Sequence, residues 1–354
     1  MTTSTGSYGV SDLLAARFQS AAEFGLDTIE AVLSEDTANH NLIVMDAVRE
    51  LCEITTDRQR IYGTSGRGQM QEVDEDGKGP SQKNVTGSTC GFPLRKFQYP
   101  MSWNDIWMQT HTPADMAQAS EGAQQADYIE VMRQLKRAIY LSANYTYRDH
   151  LVDRVELAVK RFVNADGADI PDGPNGETFD GSTHTHYNAS ATLTAAALKA
   201  NIRDVVEHGH GGLVKLVINA ANEDAVRNLT GFTALQDPRL IFGASTTGIV
   251  DARLDISRID NRRIGIFDSA EVWVKSWAIE NYYFVYDAAG VKKSLCFRQR
   301  NVPTLQGLRL AGRISLYPHT VDYMENEYGI GAWTRTNGAV LYVGDTTYAD
   351  PSIP

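Results

Sequence analysis

Residues 57–92 read DRQRIYGTSGRGQMQEVDEDGKGPSQKNVTGSTCGF. Gly, Ser, Asp and Lys dominate here, and aliphatic residues are nearly absent. Such a long polar segment brings no core of its own; inside a compact domain it is uncommon, and is usually functional or held by something else. The next stretch, FPLRKFQYPMSWNDIWMQ at 92–109, is aromatic and extended in composition, and Pro93 and Pro100 forbid a helix through it. Together the two stretches predict a long two-stranded excursion with a polar tip. An isolated hairpin buries too little to stand alone, so its stabilising contacts are expected on other molecules.

Upstream, Leu13, Leu14, Phe18, Ala21, Ala22, Leu26, Ile29 and Leu33 recur at helical spacing behind an N-cap at Ser11-Asp12, and 42–51 is a second apolar run. Residues 1–60 hold 10 Asp or Glu against 4 Arg, which suggests an arm lying on a partner surface rather than a core element. Downstream, a long helix is expected from about Ser120, with Tyr128, Val131, Met132, Leu135 and Ile139 on one face. It resumes as Leu151, Val152, Val155, Val159 and Phe162 after a less regular SANYTYRD. The Gly, Asp and Pro punctuation of 164–182 marks a border. Then come a helix over 193–206, a buried strand over 213–219 and a helix capped by Asn222. A β-rich tail follows, with an aromatic strand across 270–286, another at 291–298, LQGLRLAGRISLY at 305–317, and a hairpin turn at Asn337-Gly338.

Of the 354 residues 42% are hydrophobic and 22% charged, ordinary globular usage. A net charge of −11 argues against a protein that wraps nucleic acid by neutralising phosphates. Cys52, Cys90 and Cys296 are odd in number and widely spaced, which points to a reducing compartment rather than a disulfide framework. The first residues carry no secretory pattern, and no run approaches the ~18 apolar residues of a membrane helix. A soluble chain, cytoplasmic at synthesis, is expected.

His184, His186, His208 and His210, with Glu207, are the clustered metal-ligand types. Neither pair has the i, i+4 spacing of H-E-x-x-H, and the second lies at a helix end, where the dipole favours histidine; no metal or cofactor is expected from spacing. Glu72, Asp74, Asp76 and Gly77 open like a calcium loop, but its twelfth position is Lys83. The acidic loop of Asp166, Asp169 and Asp172 reads as a solvated turn. Gly63 to Gly68 lacks the Gly-Lys-Ser/Thr of a phosphate loop, and the glycines at 243 and 248 are one residue too far apart for a nucleophile elbow. Trp103, Trp107, Trp273 and Trp277 lack interleaved basic residues, so packing suits them better than base stacking. No acid, base and nucleophile assemble, and no catalytic role is expected.

The order of parts resembles the Hong Kong 97-type major capsid protein of tailed bacteriophages: acidic helical arm, polar β-excursion, spine helix, α/β region and closing β segment. RISLYPHTVDY at 313–323 and GAWTRTNGAVLYV at 331–343 are similar to that family's ending. The resemblance implies an α+β capsid fold with an N-terminal arm at 1–54, an extended E-loop at 55–112, a peripheral domain with the spine helix at 113–189 and 304–354, and an axial domain at 190–303. It implies a subunit assembling with many copies of itself, as hexamers and pentamers, into an icosahedral or prolate shell. The shell would form in the host cytoplasm and end in the virion, enclosing double-stranded DNA without sequence-specific binding. A separate scaffolding protein, a portal and a decoration protein are the further partners it suggests, and no membrane. Inter-subunit contacts would come from Arg60, Arg67, Lys78, Lys83, Arg95, Lys96, Trp103 and Trp107. Some members cross-link an E-loop lysine to a neighbour's asparagine; Lys78, Lys83 and Lys96 are in position, though lysines in a polar loop are usually solvated. An encapsulin-like compartment shell shares the fold, and a metal-dependent hydrolase built on His184, His186, His208 and His210 is the remote alternative.

Overall fold

The computed structural model describes residues 9–16, 19–65, 85–235 and 261–353, with positions 70, 72–73, 75, 77 and 79 between the second and third stretches. Two sheets organise them. The first is built on the long strand β15 (His319–Ala332). One side of β15 pairs antiparallel with β14 (Arg309–Leu316) and then with β13 (Leu295–Gln299), which pairs parallel with β1 (Cys52–Thr55). The other side takes β4 (Arg95–Asn104), an edge strand that tolerates Pro100 because its outer backbone needs no ladder partner. A Cβ added at Gly329 would fall on the Pro93 carbonyl oxygen, so only glycine lets β15 pass under the segment that enters β4.

The second sheet runs in the order β7 (Tyr187–Ser190), β16 (Ala339–Val343), β12 (Tyr282–Asp287), β8 (Val214–Ile218), β11 (Ala270–Lys275), β10 (Asn261–Phe267) and β9 (Phe232–Ala234). Every residue of β12, YYFVYD, is buried. Strand alternation divides them: Tyr283 and Val285 meet Leu198, Ile202 and Val205 of α6 (Ala195–Val206), while Tyr282, Phe284 and Tyr286 join the core shared with α5 (Pro113–Tyr140). That second core also holds Phe297, Tyr328 and Ile330 from the first sheet, so α5 bridges the two.

α5 starts earlier than expected, with Pro113 in the first turn and Thr112 and Asp115 forming a capping box. It ends at Tyr140 and does not resume: β5 (Tyr145–Arg148) and β6 (Glu156–Val159) form an antiparallel hairpin instead. Leu157 and Val159 are buried while Glu156 and Ala158 are exposed, a period of two. The valines whose spacing suggested a helix are β-branched and suit either form.

The N-terminal region also differs from expectation. α1 (Val10–Ala15), α2 (Ala21–Phe24) and α3 (Leu26–Val48) bury Leu13, Ala21, Ile29 and Val32 against Trp103, Met116 and Ala117. These helices complete the subunit's own core. The polar excursion is the antiparallel pair β2 (Gln59–Ser65) and β3 (Val85–Gly91). The aromatic stretch after it does not stay extended: α4 (Asp105–Thr110) closes it, capped by the Asn104 side chain, which accepts from the Trp107 N–H at 2.7 Å. The 270–286 run divides into β11 and β12, with Asn281 at φ 64° entering the second.

Asn337-Gly338 makes no hairpin. β15 ends in the first sheet and β16 begins in the second, so the dipeptide lies on a crossover. The buried Asn337 side chain accepts from the Asp287 N–H at 2.8 Å and donates to the Asp287 carbonyl at 3.2 Å, standing in for a ladder neighbour at the end of β12. β16 therefore belongs with the sheet of residues 187–287, and β13 with that of 309–332; neither sheet divides at 303/304.

Candidate functional site

Among the described residues, the expected cations Arg60, Arg95 and Lys96 have partners within the subunit. Arg60 donates to Asp57 at 2.7 Å, Glu53 at 3.0 Å and Thr55 at 3.1 Å, with its guanidinium 4.3 Å from the Trp333 ring centroid. Arg95 lies 5.1 Å from the Tyr147 ring, and Lys96 bonds Glu325 at 2.7 Å. Trp103 is buried in the arm's core and stacked on Trp107, which stacks on His111. Arg67, Lys78 and Lys83 lie outside the described residues, as do Asp74 and Asp76 of the calcium-like loop and 243–248.

Sequence reasoning missed the other end of the first sheet. β14 pairs only with β15 among the described strands, which leaves one backbone edge open, and nearly every one of its residues is exposed. Leu316 is 76% and Tyr317 85% exposed, with Leu310 and Ile314 also open. α4 is tied to the same β14–β15 turn by the Asp105 N–H, which donates to the Pro318 carbonyl at 2.9 Å, and its Ile106 is exposed too. An apolar, unpaired edge strand is a template for pairing with another chain. The signal was present as Leu310, Ile314 and Leu316 in a strand-like run, but an apolar strand is ordinarily read as core.

A second constellation lies beside β7. The 164–186 loop ends in a backbone bridge between Asn164 and Thr185, and buried Arg335 holds its start, donating to the Arg161 carbonyl at 2.6 Å and to Asn164 Oδ1 at 2.8 Å. This delivers His184 and His186 beside the end of α6, where Gly209 at φ 85° stops the helix and His208 leaves it. The Nε2 atoms of the three histidines are mutual neighbours: 3.2 Å between His184 and His186, and 3.1 Å from each of these to His208. Phe179 lies against two of the rings, its centroid 4.1 Å from that of His208 and 5.0 Å from that of His184. Glu207 Oε1 is 3.6 Å from His184 Nε2. His210 stands apart, 2.9 Å from Thr336 Oγ1.

Burial disfavours the charged form of all three rings. It pushes the His184 pKa down against the opposing Glu207 charge, and pushes His186 well below its ordinary value together with repulsion from His208. His208 falls to about 3 through burial and its neighbours His184 and His210, partly opposed by the Pro171 backbone. Neutral imidazole is the ligand form. Helical spacing was the wrong ruler here: in an extended segment residues i and i+2 share a side, and His208 joins them from another element.

No family model matches the chain, and no curated protein matches it. Among solved structures, a chain of Mycobacterium phage Patience aligns over 99% of this chain and 96% of its own, at 18% identity and a TM-score of 0.69. The capsid of a native GTA particle aligns over 84% of this chain and 90% of its own (14% identity, TM-score 0.45). The holo-SrpI encapsulin complex of Synechococcus elongatus PCC 7942 covers 86% and 90% (13% identity, TM-score 0.42). The chain has the fold of tailed-phage major capsid proteins, the mixed α+β Hong Kong 97 type. Among the described residues no helix is long and apolar enough to cross a membrane.

Proposed function

We propose that this chain is the structural subunit of a phage shell, icosahedral or prolate, in which hexamers and pentamers of the same chain close around double-stranded DNA. It acts as a building block rather than an enzyme. The open, apolar edge of β14 carries this reading, on a fold matched almost end to end by a phage chain. Leu316 and Tyr317 exposed on an unpaired edge would be a liability in a monomer; covered by a neighbour they become interface. The β2–β3 hairpin supplies a second contact by lying across an adjacent subunit, and 55–112 serves as the E-loop. Each subunit is then held on several sides, and repeated modest interfaces give large collective stability. Assembly takes place in the host cytoplasm with a separate scaffolding protein and a portal, and a decoration protein can cover the outside. The net charge of −11 suits a wall that encloses DNA without adhering to it.

Negative-stain microscopy of the expressed protein, alone and with its scaffold, tests this. Closed particles are expected, and a lone monomer under both conditions would overturn it. Particles filled with protein rather than DNA during infection would reassign the shell to an encapsulin-like role. Deleting residues 63–89 should leave monomers with wild-type circular dichroism that cannot close shells. Normal shells from that deletion would remove the hairpin from the assembly mechanism.

A further inference from the structure

The three-histidine constellation has no place in shell assembly as described, and hydrogen bonding alone leaves it incomplete. His186 Nδ1 lies 2.8 Å from the Gly338 carbonyl, which can only accept, so Nδ1 carries the ring's proton and Nε2 presents a bare lone pair. The three Nε2 atoms then form a closed triangle with sides of 3.1–3.2 Å. A hydrogen bond needs a donor at one end and an acceptor at the other. Around a triangle of single atoms that alternation cannot close, so at least one side must set lone pair against lone pair or N–H against N–H. Whichever tautomers His184 and His208 take, the conflict remains.

We propose that His184, His186 and His208 bind a divalent transition-metal ion, zinc by preference, through their three Nε2 atoms. An ion on which three lone pairs converge removes the conflict on every side at once. The geometry fits: at the ~2.0–2.1 Å of a zinc–imidazole bond, the ion sits about 1 Å off the nitrogen plane with N–Zn–N angles of about 100°, near tetrahedral. Three imidazoles select zinc, copper or nickel over calcium or magnesium, which require oxygen ligands. The His186–Gly338 bond is the outer contact that fixes tautomer and ring orientation for a metal-bound histidine. The fourth position is open to water; Glu207, 3.6 Å from His184 Nε2, is the nearby carboxylate.

The ion's role follows from what it joins. His184 and His186 end a loop that runs from 164 without helix or named strand, and His208 ends α6. Zinc would staple that loop to the helix end, fixing a segment with little core of its own beside the edge strand β7. The site is a structural clasp, and it is independent of whether the shell encloses DNA or protein.

The test uses the full chain, purified from zinc-supplemented cells, desalted and assayed by elemental mass spectrometry. About one zinc per chain is expected, falling to background in His184→Gln and in His208→Gln. His210→Ala, outside the triangle, should keep the metal. Chelator-stripped wild-type protein titrated with cobalt(II) should develop the strong visible absorption of a four-coordinate site at one equivalent, and hydrogen exchange across 164–186 should slow on zinc addition. Should either glutamine variant fail to fold, the wild-type cobalt spectrum and zinc-dependent exchange still decide. Wild-type protein with background zinc and no cobalt absorption overturns the proposal, as does equal zinc in folded His208→Gln.

Discussion

Glu50, on the turn that follows α3, holds the N-terminal helices to the second sheet. Its carboxylate accepts from Lys215 of β8 at 2.6 Å, Lys275 of β11 at 3.0 Å and the Tyr286 hydroxyl of β12 at 2.8 Å. The lysine side chains are only 13% and 9% exposed, and both ammoniums lie over the Trp273 ring. Burial raises the Glu50 pKa, but the two lysines outweigh it and hold the carboxyl at about 2 instead of 4.5. That difference corresponds to about 3 kcal/mol in favour of the ionised group. The side chain is 32% exposed, so solvent screening brings the figure nearer to about 2 kcal/mol. Glu50→Gln keeps the shape but leaves two nearly buried ammoniums facing a neutral amide. For 354 residues, an unfolding entropy of ~2.1 cal/mol/K per residue converts that loss to a Tm lower by about 3 °C at neutral pH. Because the folded pKa lies below the unfolded one, the contribution is complete above about pH 4.5 and disappears as pH falls toward 2. Differential scanning fluorimetry of the unassembled subunit should therefore show the gap between wild type and variant closing from about pH 5 downward. Adding Lys275→Met to Glu50→Gln should recover part of the loss by removing one stranded charge. An unchanged Tm at neutral pH, or a gap that persists at low pH, would refute the electrostatic account.

Gly329→Ala should abolish soluble, natively packed protein, read by near-ultraviolet circular dichroism, because the new methyl falls on the Pro93 carbonyl between two paired backbones. A wild-type spectrum would mean that the chain entering β4 does not cross β15 as described. Leu316→Asp should leave the subunit's Tm within about 1 °C, since the side chain touches little of its own molecule, while eliminating closed particles in the microscope. Normal particles would take the β14 edge out of the interface.

What the sequence disclosed depended on how local the deciding interaction was. The β2–β3 hairpin was legible because a long polar segment supplies little core of its own, and α6 and β8 because apolar runs bounded by glycine need no distant help. The 141–163 segment was not, because its outcome rests on contacts such as Asn144 Oδ1 accepting from the Arg161 N–H at 2.8 Å across the β5–β6 pair. Asn337-Gly338 carries a strong turn signal, but its amide bonds to Asp287 from 50 residues away. The histidine triangle joins positions 22 and 24 residues apart across β7 and α6, and no spacing rule spans that.

The same distinction bears on how the shell would close. Polarity marks the hairpin as the segment that cannot fold against its own molecule, yet its root is already satisfied there: Arg60 meets Glu53 and Asp57, and Tyr62 is buried with Cys90, Phe92 and Cys296. A root locked this way fixes the direction in which β2 and β3 leave the subunit before any neighbour arrives. The β14 edge is the reverse, its backbone regular but its apolar side chains and outer edge unanswered. An oriented reach with little adhesion of its own and an adhesive edge with little reach are complementary requirements of a closed surface, since the first sets geometry and the second supplies the free energy. Removing either should therefore stop closure: loss of the hairpin leaves folded monomers that have the adhesive edge but no oriented reach, and loss of the edge leaves folded monomers that have the reach but no adhesion.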